Sequence, residues 1–245
     1  MGFDVIPSID VRAGKCVRLV QGDFARETIY DDDPAAVAEA WTAAGAAVIH
    51  VVDLDGARSG RPANLGALRD IRAATRATLQ FGGGLRDDAA IEDAIHAGAD
   101  RVVLGTALLT RPQWVVELRR RLGDRLVVGI DARDGRIAAE GWTRTSAVAT
   151  DDLVDRANAL GVRWGLYTDI GRDGTLDGPN VAALADVVER ASFAVLASGG
   201  VASLDDLVAI RTIGAAGAIV GRALYTGQIK LEGAISRLAN EADEC

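Results

Sequence analysis

The sequence predicts an α/β protein that folds as a single closed (β/α)8 barrel whose two halves repeat each other. The chain of 245 residues has the length typical of one eight-stranded barrel. Short β-branched runs alternate along it with segments of helical periodicity, which indicates a parallel sheet. The two halves of the sequence can also be overlaid on one another, so we expect one domain over residues 1–245 built from two similar half-barrels.

Each predicted strand is a short, largely apolar run, as expected for strands that are covered on both faces. The strands are predicted at residues 5–9, 48–52, 78–81, 102–104, 126–130, 165–168, 193–197 and 218–220. Apolar residues at helical spacing predict helices between them, including 34–44, 87–97, 151–160 and 204–213. An open doubly wound sheet is the alternative, but residues 10–14 (DVRAG) follow the first strand where that fold usually has GxGxxG.

The internal repeat places equivalent residues at the ends of equivalent strands. When the sequence is shifted along itself and aligned, residues 81–85 overlay 197–201, and the same shift overlays Gly105 on Gly221. At a slightly longer offset, residues 9–14 overlay 130–135. Because the residues that end barrel strands face the carboxyl-terminal mouth, where barrel enzymes build their sites, the repeat predicts a site with two-fold pseudosymmetry.

Four aspartates end predicted strands. Asp10 and Asp131 end strands one and five, so they should face each other across the mouth. Asp53 and Asp169 form a second pair at strands two and six. An aspartate after a strand often braces a loop or caps a helix. Opposed carboxylates at a barrel mouth also suit acid and base catalysis, in which one is protonated while the other is ionised.

Glycine-rich strand ends come in matched pairs that fit phosphate groups. Glycine allows backbone N–H groups to approach an anion, and the start of a following helix adds a favourable dipole. Such glycines can serve tight turns alone, but two symmetric sets favour two phosphate sites, one in each half. The predicted cradles are Gly82, Gly83, Gly84, Gly105 and Thr106 in the first half, and Ser198, Gly199, Gly200, Gly221 and Arg222 in the second.

Composition argues against several other functions. The net charge of −8 disfavours nucleic-acid binding, which needs a basic surface. Cys16 and Cys245 lie at opposite ends of the chain without metal-ligand spacing, so neither a disulfide nor a metal site is expected. With no long apolar run and no export signal, we expect a soluble, cytoplasmic protein. His50 and His96 are expected to serve packing or the surface.

Several motifs, spread over essentially the entire chain, carry a family resemblance. They are residues 6–10 (IPSID), 17–23 (VRLVQGD), 51–57 (VVDLDGA), 82–86 (GGGLR), 141–142 (GW), 167–176 (YTDIGRDGTL) and 198–201 (SGGV). These motifs resemble the ProFAR isomerase family of histidine biosynthesis, HisA. The resemblance implies an Amadori rearrangement of the aminoaldose ProFAR to the aminoketose PRFAR, without metal or organic cofactor. It also implies a substrate with a phosphate at each end and a monomeric enzyme.

The implied chemistry needs an acid that protonates the ring oxygen and opens the furanose, and then a base that removes the C2′ proton of the resulting Schiff base. By resemblance, Asp10 is the base, and the acid is Asp131 or Asp169. Arg18, Gly141 and Trp142 lie on loops that fold over the ligand in this family. Further substrate contacts implied by the resemblance are Thr168, Asp173, Gly174 and Thr175.

Three alternatives remain open at this point. The bifunctional PriA-type branch also isomerises phosphoribosylanthranilate and resembles this chain at Arg18 and Trp142, but typically reads Arg-Gly-Trp where this chain has Glu140-Gly141-Trp142. Glu140 should repel the anthranilate carboxylate, although Arg144 could replace the missing arginine. The sister cyclase HisF shares the barrel, but residues 17–23 favour the isomerase. A non-catalytic phosphosugar-binding barrel would retain the cradles without turnover.

Overall fold

The computed structural model describes residues 2–139, 141–142 and 144–240, and it confirms the predicted closed barrel. Numbered in chain order with four further strands, the barrel strands are β1 (Asp4–Arg12), β4 (Val48–Asp53), β5 (Thr78–Gly82), β6 (Arg101–Leu104), β7 (Leu126–Arg133), β10 (Trp164–Asp169), β11 (Ala194–Ser198) and β12 (Gly217–Val220). Each predicted strand overlaps one of them in the predicted order. The sheet closes because β10 pairs in parallel with both β7 and β11.

Two antiparallel hairpins extend from the barrel, and the sequence analysis did not predict them. The first, β2 (Lys15–Val20) with β3 (Asp23–Asp31), follows β1. The second, β8 (Arg136–Ala139) with β9 (Arg144–Ala149), follows β7. Since β1 and β7 are equivalent strands of the two halves, the hairpins repeat the two-fold relationship seen in the sequence.

The helices connect consecutive barrel strands, and several begin at a capping side chain. Asp33 accepts from the N–H of Ala35 at 2.9 Å, and Ser203 forms a capping box with Asp206. The helices are α1 (Pro34–Ala43), α2 (Leu54–Ser59), α3 (Leu65–Ala74), α4 (Asp88–His96), α5 (Ala107–Thr110), α6 (Pro112–Leu122), α7 (Thr150–Leu160), α8 (Val181–Arg190), α9 (Leu204–Thr212), α10 (Arg222–Tyr225) and α11 (Leu231–Asn240), with a 3-10 turn at Gly123–Arg125. The predicted helices correspond to α1, α4, α7 and α9. In the part of the chain that the structure describes, no helix has the length and apolar character to cross a membrane.

Apolar side chains pack on both sides of the barrel wall because successive strand residues point to opposite faces. On β1, Val5, Ile9 and Val11 point outward into the layer under the helices, while Ile6 points into the barrel. The interior cluster consists of Ile6, Val48, Val127, Trp164, Leu166, Leu196 and Ile219. This apolar plug fills the barrel below the mouth, so open space remains at the carboxyl ends of the strands.

Candidate active site

A cavity of about 870 Å³ lies at the carboxyl ends of the barrel strands. It brings together nearly all of the residues predicted to form the site. Those that line it are Asp10, Arg18, Gly82, Gly83, Gly84, Gly105, Thr106, Asp131, Gly141, Trp142, Thr168, Asp173, Gly174, Ser198, Gly199, Gly200, Gly221 and Arg222. Asp169 and Thr175 do not belong to the lining. Thr175 instead donates through Oγ1 to the carbonyl of Arg172 at 2.8 Å, within its own turn.

Asp10 is buried against a cation and a hydroxyl. Its Oδ1 lies 2.8 Å from Arg18 Nη1 and accepts a hydrogen bond from Ser8 Oγ at 2.9 Å. Burial raises the pKa of Asp10, whereas the Arg18 charge and the Ser8 hydrogen bond lower it. Among the described residues, none donates to Oδ2, so this oxygen is available to take a proton.

Asp173 is a second carboxylate beside the same arginine, on the loop between β10 and α8. Its Oδ1 lies 3.7 Å from Arg18 Nη2. Burial raises the pKa of Asp173 to about 6, the Arg18 charge opposes this rise, and the charges of Asp10 and Asp131 add to it. The loop is held against the first hairpin, because Gln21 N donates to the Asp173 carbonyl at 3.0 Å.

Asp131 completes a set of three buried carboxylates. Burial raises the pKa of Asp131, while Trp142 and Thr168, its register partner on β10, lower it. The Trp142 ring also lies over Gly22 in the turn of the first hairpin, where an added Cβ would be 2.7 Å from Trp142 Cε3. Trp142 therefore links Asp131 to the loop on the opposite side of the mouth.

The second predicted aspartate pair braces loops outside the cavity. Asp53 is fully buried and accepts hydrogen bonds from the backbone N–H groups of Gly56, Ala63 and Asn64 at 2.8, 2.6 and 2.8 Å. Asp169 accepts from Gly171 N at 3.0 Å and is similarly engaged. The cause is strand alternation: Thr168 points into the barrel, so its neighbour Asp169 points outward. Asp169, one of the two residues expected to be the acid, therefore does not line the cavity.

The glycine cradles owe part of their composition to close packing. Gly83 has φ +112°, and a Cβ there would lie 2.2 Å from the carbonyl oxygen of Asp53. Its equivalent Gly199 has φ +99°, and a Cβ would lie 2.4 Å from the carbonyl oxygen of Asp169. Both positions require glycine for loop packing, and both also line the cavity. The turn and phosphate interpretations are therefore compatible.

The cavity also contains arginines that the sequence analysis did not assign. Arg58, Arg86 and Arg111 line it with the first cradle. Arg86 lies two residues after Gly84 in sequence, and Arg111 Nη1 donates to the Arg86 carbonyl at 2.6 Å. A search for basic residues in loops after barrel strands would have found Arg86. These charges give an overall acidic protein a locally basic end of the cavity, suited to an anionic group.

His50, expected to serve packing or the surface, lines the cavity, while His96 is exposed on α4. His50 Nδ1 is 3.1 Å from Gln80 Nε2. Burial lowers the pKa of His50 to about 3, and the Arg18 charge adds to the effect. His50 is therefore neutral in the folded protein and acts as a hydrogen-bonding group.

Two expectations concern residues outside the described part of the chain. They are the repulsion of the anthranilate carboxylate by Glu140 and the lack of a disulfide or metal role for Cys245. Arg144, the other residue in the anthranilate argument, begins β9. Within residues 2–139, 141–142 and 144–240, no group of histidine, cysteine, aspartate or glutamate side chains is arranged to hold a metal ion.

The closed barrel and the buried carboxylates at its mouth define a (β/α)8-barrel enzyme with acid–base chemistry. The chain belongs to the histidine biosynthesis protein family, which matches residues 4–230.

Curated relatives cover nearly the whole chain. A protein of Chloroflexus aggregans is 50% identical over 234 residues, covering 96% of this chain and 97% of the relative. A Roseiflexus protein is 49% identical, covering 96% and 99%, and one of Herpetosiphon aurantiacus is 48% identical, covering 96% and 98%. All three are named as the isomerase of 1-(5-phosphoribosyl)-5-((5-phosphoribosylamino)methylideneamino)imidazole-4-carboxamide, the compound abbreviated ProFAR above.

Proposed function

We propose that this protein is the ProFAR isomerase of histidine biosynthesis, which converts the aminoaldose ProFAR to the aminoketose PRFAR. The observation that carries this function is the convergence of Asp10, Asp131 and Asp173 in one cavity between two glycine-lined sets of strand ends. The family match and the names of the relatives agree with it.

Asp10 is the base in this proposal. Its ion pair with Arg18 and its hydrogen bond from Ser8 favour the ionised form that a base needs. Both contacts are made to Oδ1, which leaves Oδ2 to remove the C2′ proton of the opened Schiff base. The electrons of that C–H bond form an enolamine, which tautomerises to the aminoketose.

Asp173 is the acid in this proposal, in place of the Asp131 or Asp169 expected from the sequence. An acid must hold a proton before it donates to the ring oxygen, and the pKa of Asp173, raised to about 6, favours this state. Burial also raises the pKa of Asp131, but Trp142 and Thr168 oppose this rise. Asp131, with Thr168 and Trp142, is then a group that orients the substrate.

The substrate carries two phosphates in this proposal, one for each cradle. Glycine backbone at Gly82–Gly84 and at Gly199–Gly200 supports this placement, since it allows close approach of an anion. Arg86 and Arg222 supply positive charge in the respective halves. A bisphosphate would therefore span the mouth and place its central part over Asp10 and Asp173.

We propose further that the enzyme acts as a monomer in the cytoplasm. One chain supplies all of the cavity residues named above, and the family is described as one of amino-acid biosynthesis. Light scattering of the purified protein tests the first statement, and fractionation of the cells that express it tests the second.

The test of function is steady-state turnover of purified protein with ProFAR, measured in parallel with phosphoribosylanthranilate. Conversion of ProFAR to PRFAR, lost in Asp10→Asn, is the expected result. Binding of ProFAR without turnover would instead show a phosphosugar-binding barrel. Turnover of both substrates would add the second isomerase activity.

A further inference from the structure

Ser8 lies between Asp10 and Arg18 and contacts both. Its Oγ donates to Asp10 Oδ1 at 2.9 Å and accepts from Arg18 Nη1 at 3.1 Å. Only 2% of Ser8 is exposed, yet the residue lines the cavity. The hydroxyl is therefore fully used in fixing the side chain that acts as the base.

The backbone of Ser8 is held independently of its hydroxyl. Tyr225 Oη donates to the Ser8 carbonyl at 3.1 Å. The Tyr225 ring packs against Tyr30 and Trp41, with ring centroids 4.8 and 5.7 Å away. Removal of the hydroxyl should therefore leave the strand in place.

The equivalent aspartate in the other half, Asp131, does not have a serine and an arginine at the matching positions. In the repeat that overlays Asp10 on Asp131, Ser8 corresponds to Gly129 and Arg18 to Ala139. The hairpins agree with this alignment, since Val11 pairs with Cys16 and the equivalent Ala132 pairs with Ile137.

Gly129 also leaves little space for a serine. A Cβ there would lie 3.0 Å from the Cα of Gly105. The pair formed by the Ser8 hydroxyl and the Arg18 guanidinium is therefore not repeated at Gly129 and Ala139.

We propose that Ser8 is a positioning residue that locks Asp10 Oδ1 to Arg18, presents Oδ2 to the substrate, and so makes Asp10 rather than its equivalent Asp131 the base. This inference deepens the proposed isomerase function and rests on it. Ser8 carries no charge, so its replacement alters the protonation equilibrium of Asp10 without adding or removing a charged side chain in the cavity.

Other groups that act on Asp10 stay in place when Ser8 is replaced. They are Arg18 and Cys16 on β2, Asp173 on the loop after β10, and Tyr225 on α10. His50, the register partner of Ser8 on β4, is neutral. A change in the pH dependence of Ser8→Ala therefore reports the lost hydroxyl.

The experiment measures kcat and KM for ProFAR across pH in wild type, Ser8→Ala and Ser8→Thr. Loss of a hydrogen bond to a carboxylate favours its neutral form, so the acidic limb of kcat/KM in Ser8→Ala should move up by about one pH unit. At a pH below the limb, kcat should fall about tenfold with KM little changed. Ser8→Thr, which keeps the hydroxyl, should restore the wild-type limb.

Ser236→Ala is the matched control, because it makes the same chemical change at an exposed position on α11. An unmoved acidic limb in Ser8→Ala, or a rise in KM alone, would overturn the positioning role. If Ser8→Ala does not fold, Ser8→Cys provides the same comparison with a weaker donor. A wild-type protein that does not turn over ProFAR would overturn the proposed function itself, which is a distinguishable result.

Discussion

Asp169 accepts a hydrogen bond from the side-chain amide of Asn180 at 3.0 Å, at the start of α8. Asp53 accepts the equivalent bond from Asn64 at 2.7 Å, at the start of α3. In both halves of the barrel, a carboxylate at a strand end thus ties the next helix to the loop that precedes it. These aspartates stabilise the walls of the cavity and do not face its contents.

Asp169→Asn should therefore affect stability more than chemistry. The new amide can accept from only one of the two donors, Gly171 N and Asn180 Nδ2, so we expect a loss of about 1–3 kcal/mol in unfolding free energy. The pH limbs of kcat/KM should stay in place. Urea denaturation and a pH profile test this. A hundredfold loss of kcat with unchanged stability would show that Asp169 is catalytic after all.

Asp173→Asn should remove the alkaline limb of the pH–rate profile. The acid must be protonated, so kcat/KM of wild type should fall as pH rises through the pKa of Asp173, which is about 6 in the free enzyme. We expect kcat to drop by about 10²–10⁴ at the pH optimum. Asp131→Asn is the matched control and should retain the limb. The reverse pattern would assign the acid to Asp131.

Asp173→Asn should also stabilise the protein at high pH. The folded pKa of about 6 exceeds the unfolded value of 3.8, so the folded state binds the proton more tightly. The contribution of the Asp173 carboxyl to the free energy of unfolding is fully present below the pKa of the unfolded state. It is lost as pH rises through the pKa of the folded state, by about 3 kcal/mol in total. Replacement by a neutral amide removes this loss. Denaturation of wild type and variant at about pH 5 and about pH 8 should show the larger difference at the higher pH.

Gly199→Ala should destabilise the protein and weaken phosphate binding together. The new Cβ would meet the Asp169 carbonyl oxygen, and the residue would be held at φ +99°. Relief of this contact must move the loop that lines the second cradle, at an expected cost of about 2 kcal/mol or more. Thermal unfolding and competition by inorganic phosphate measure the two effects.

Gly66→Ala on α3 is the control for the glycine substitution. A Cβ at Gly66 meets nothing within 4 Å, and alanine in a helix should add about 0.5–1 kcal/mol of stability. Equal effects of the two substitutions would contradict the packing account of Gly199.

The barrel itself was predictable because every strand is a short apolar run and the repeat fixes how the halves correspond. The hairpins were missed since residues 15–20 and 23–31 lie between a strand and a helix, where the βα pattern assigns only a loop. The turn of the first hairpin contains Gly22, with positive φ, which is a hairpin signal that could have been used.

Most of the residues that line the cavity were named from the sequence, but Asp173, the acid in our proposal, was expected only as a substrate contact. Strand alternation alone could have excluded Asp169, because Thr168 beside it points inward. Asp173 lies in an irregular loop, where no periodicity predicts the direction of a side chain. Its position beside Arg18 depends on the contact of that loop with Gln21 in the distant first hairpin, and the sequence contains no direct signal of this contact.

The apolar plug under the cavity closes the barrel interior at that end of the cavity. Because Trp164, Leu166 and Ile219 fill the space beneath, the described residues leave the cavity accessible from the mouth and not through the barrel. Product must therefore depart by the route that the next substrate needs, and the two compete for one passage.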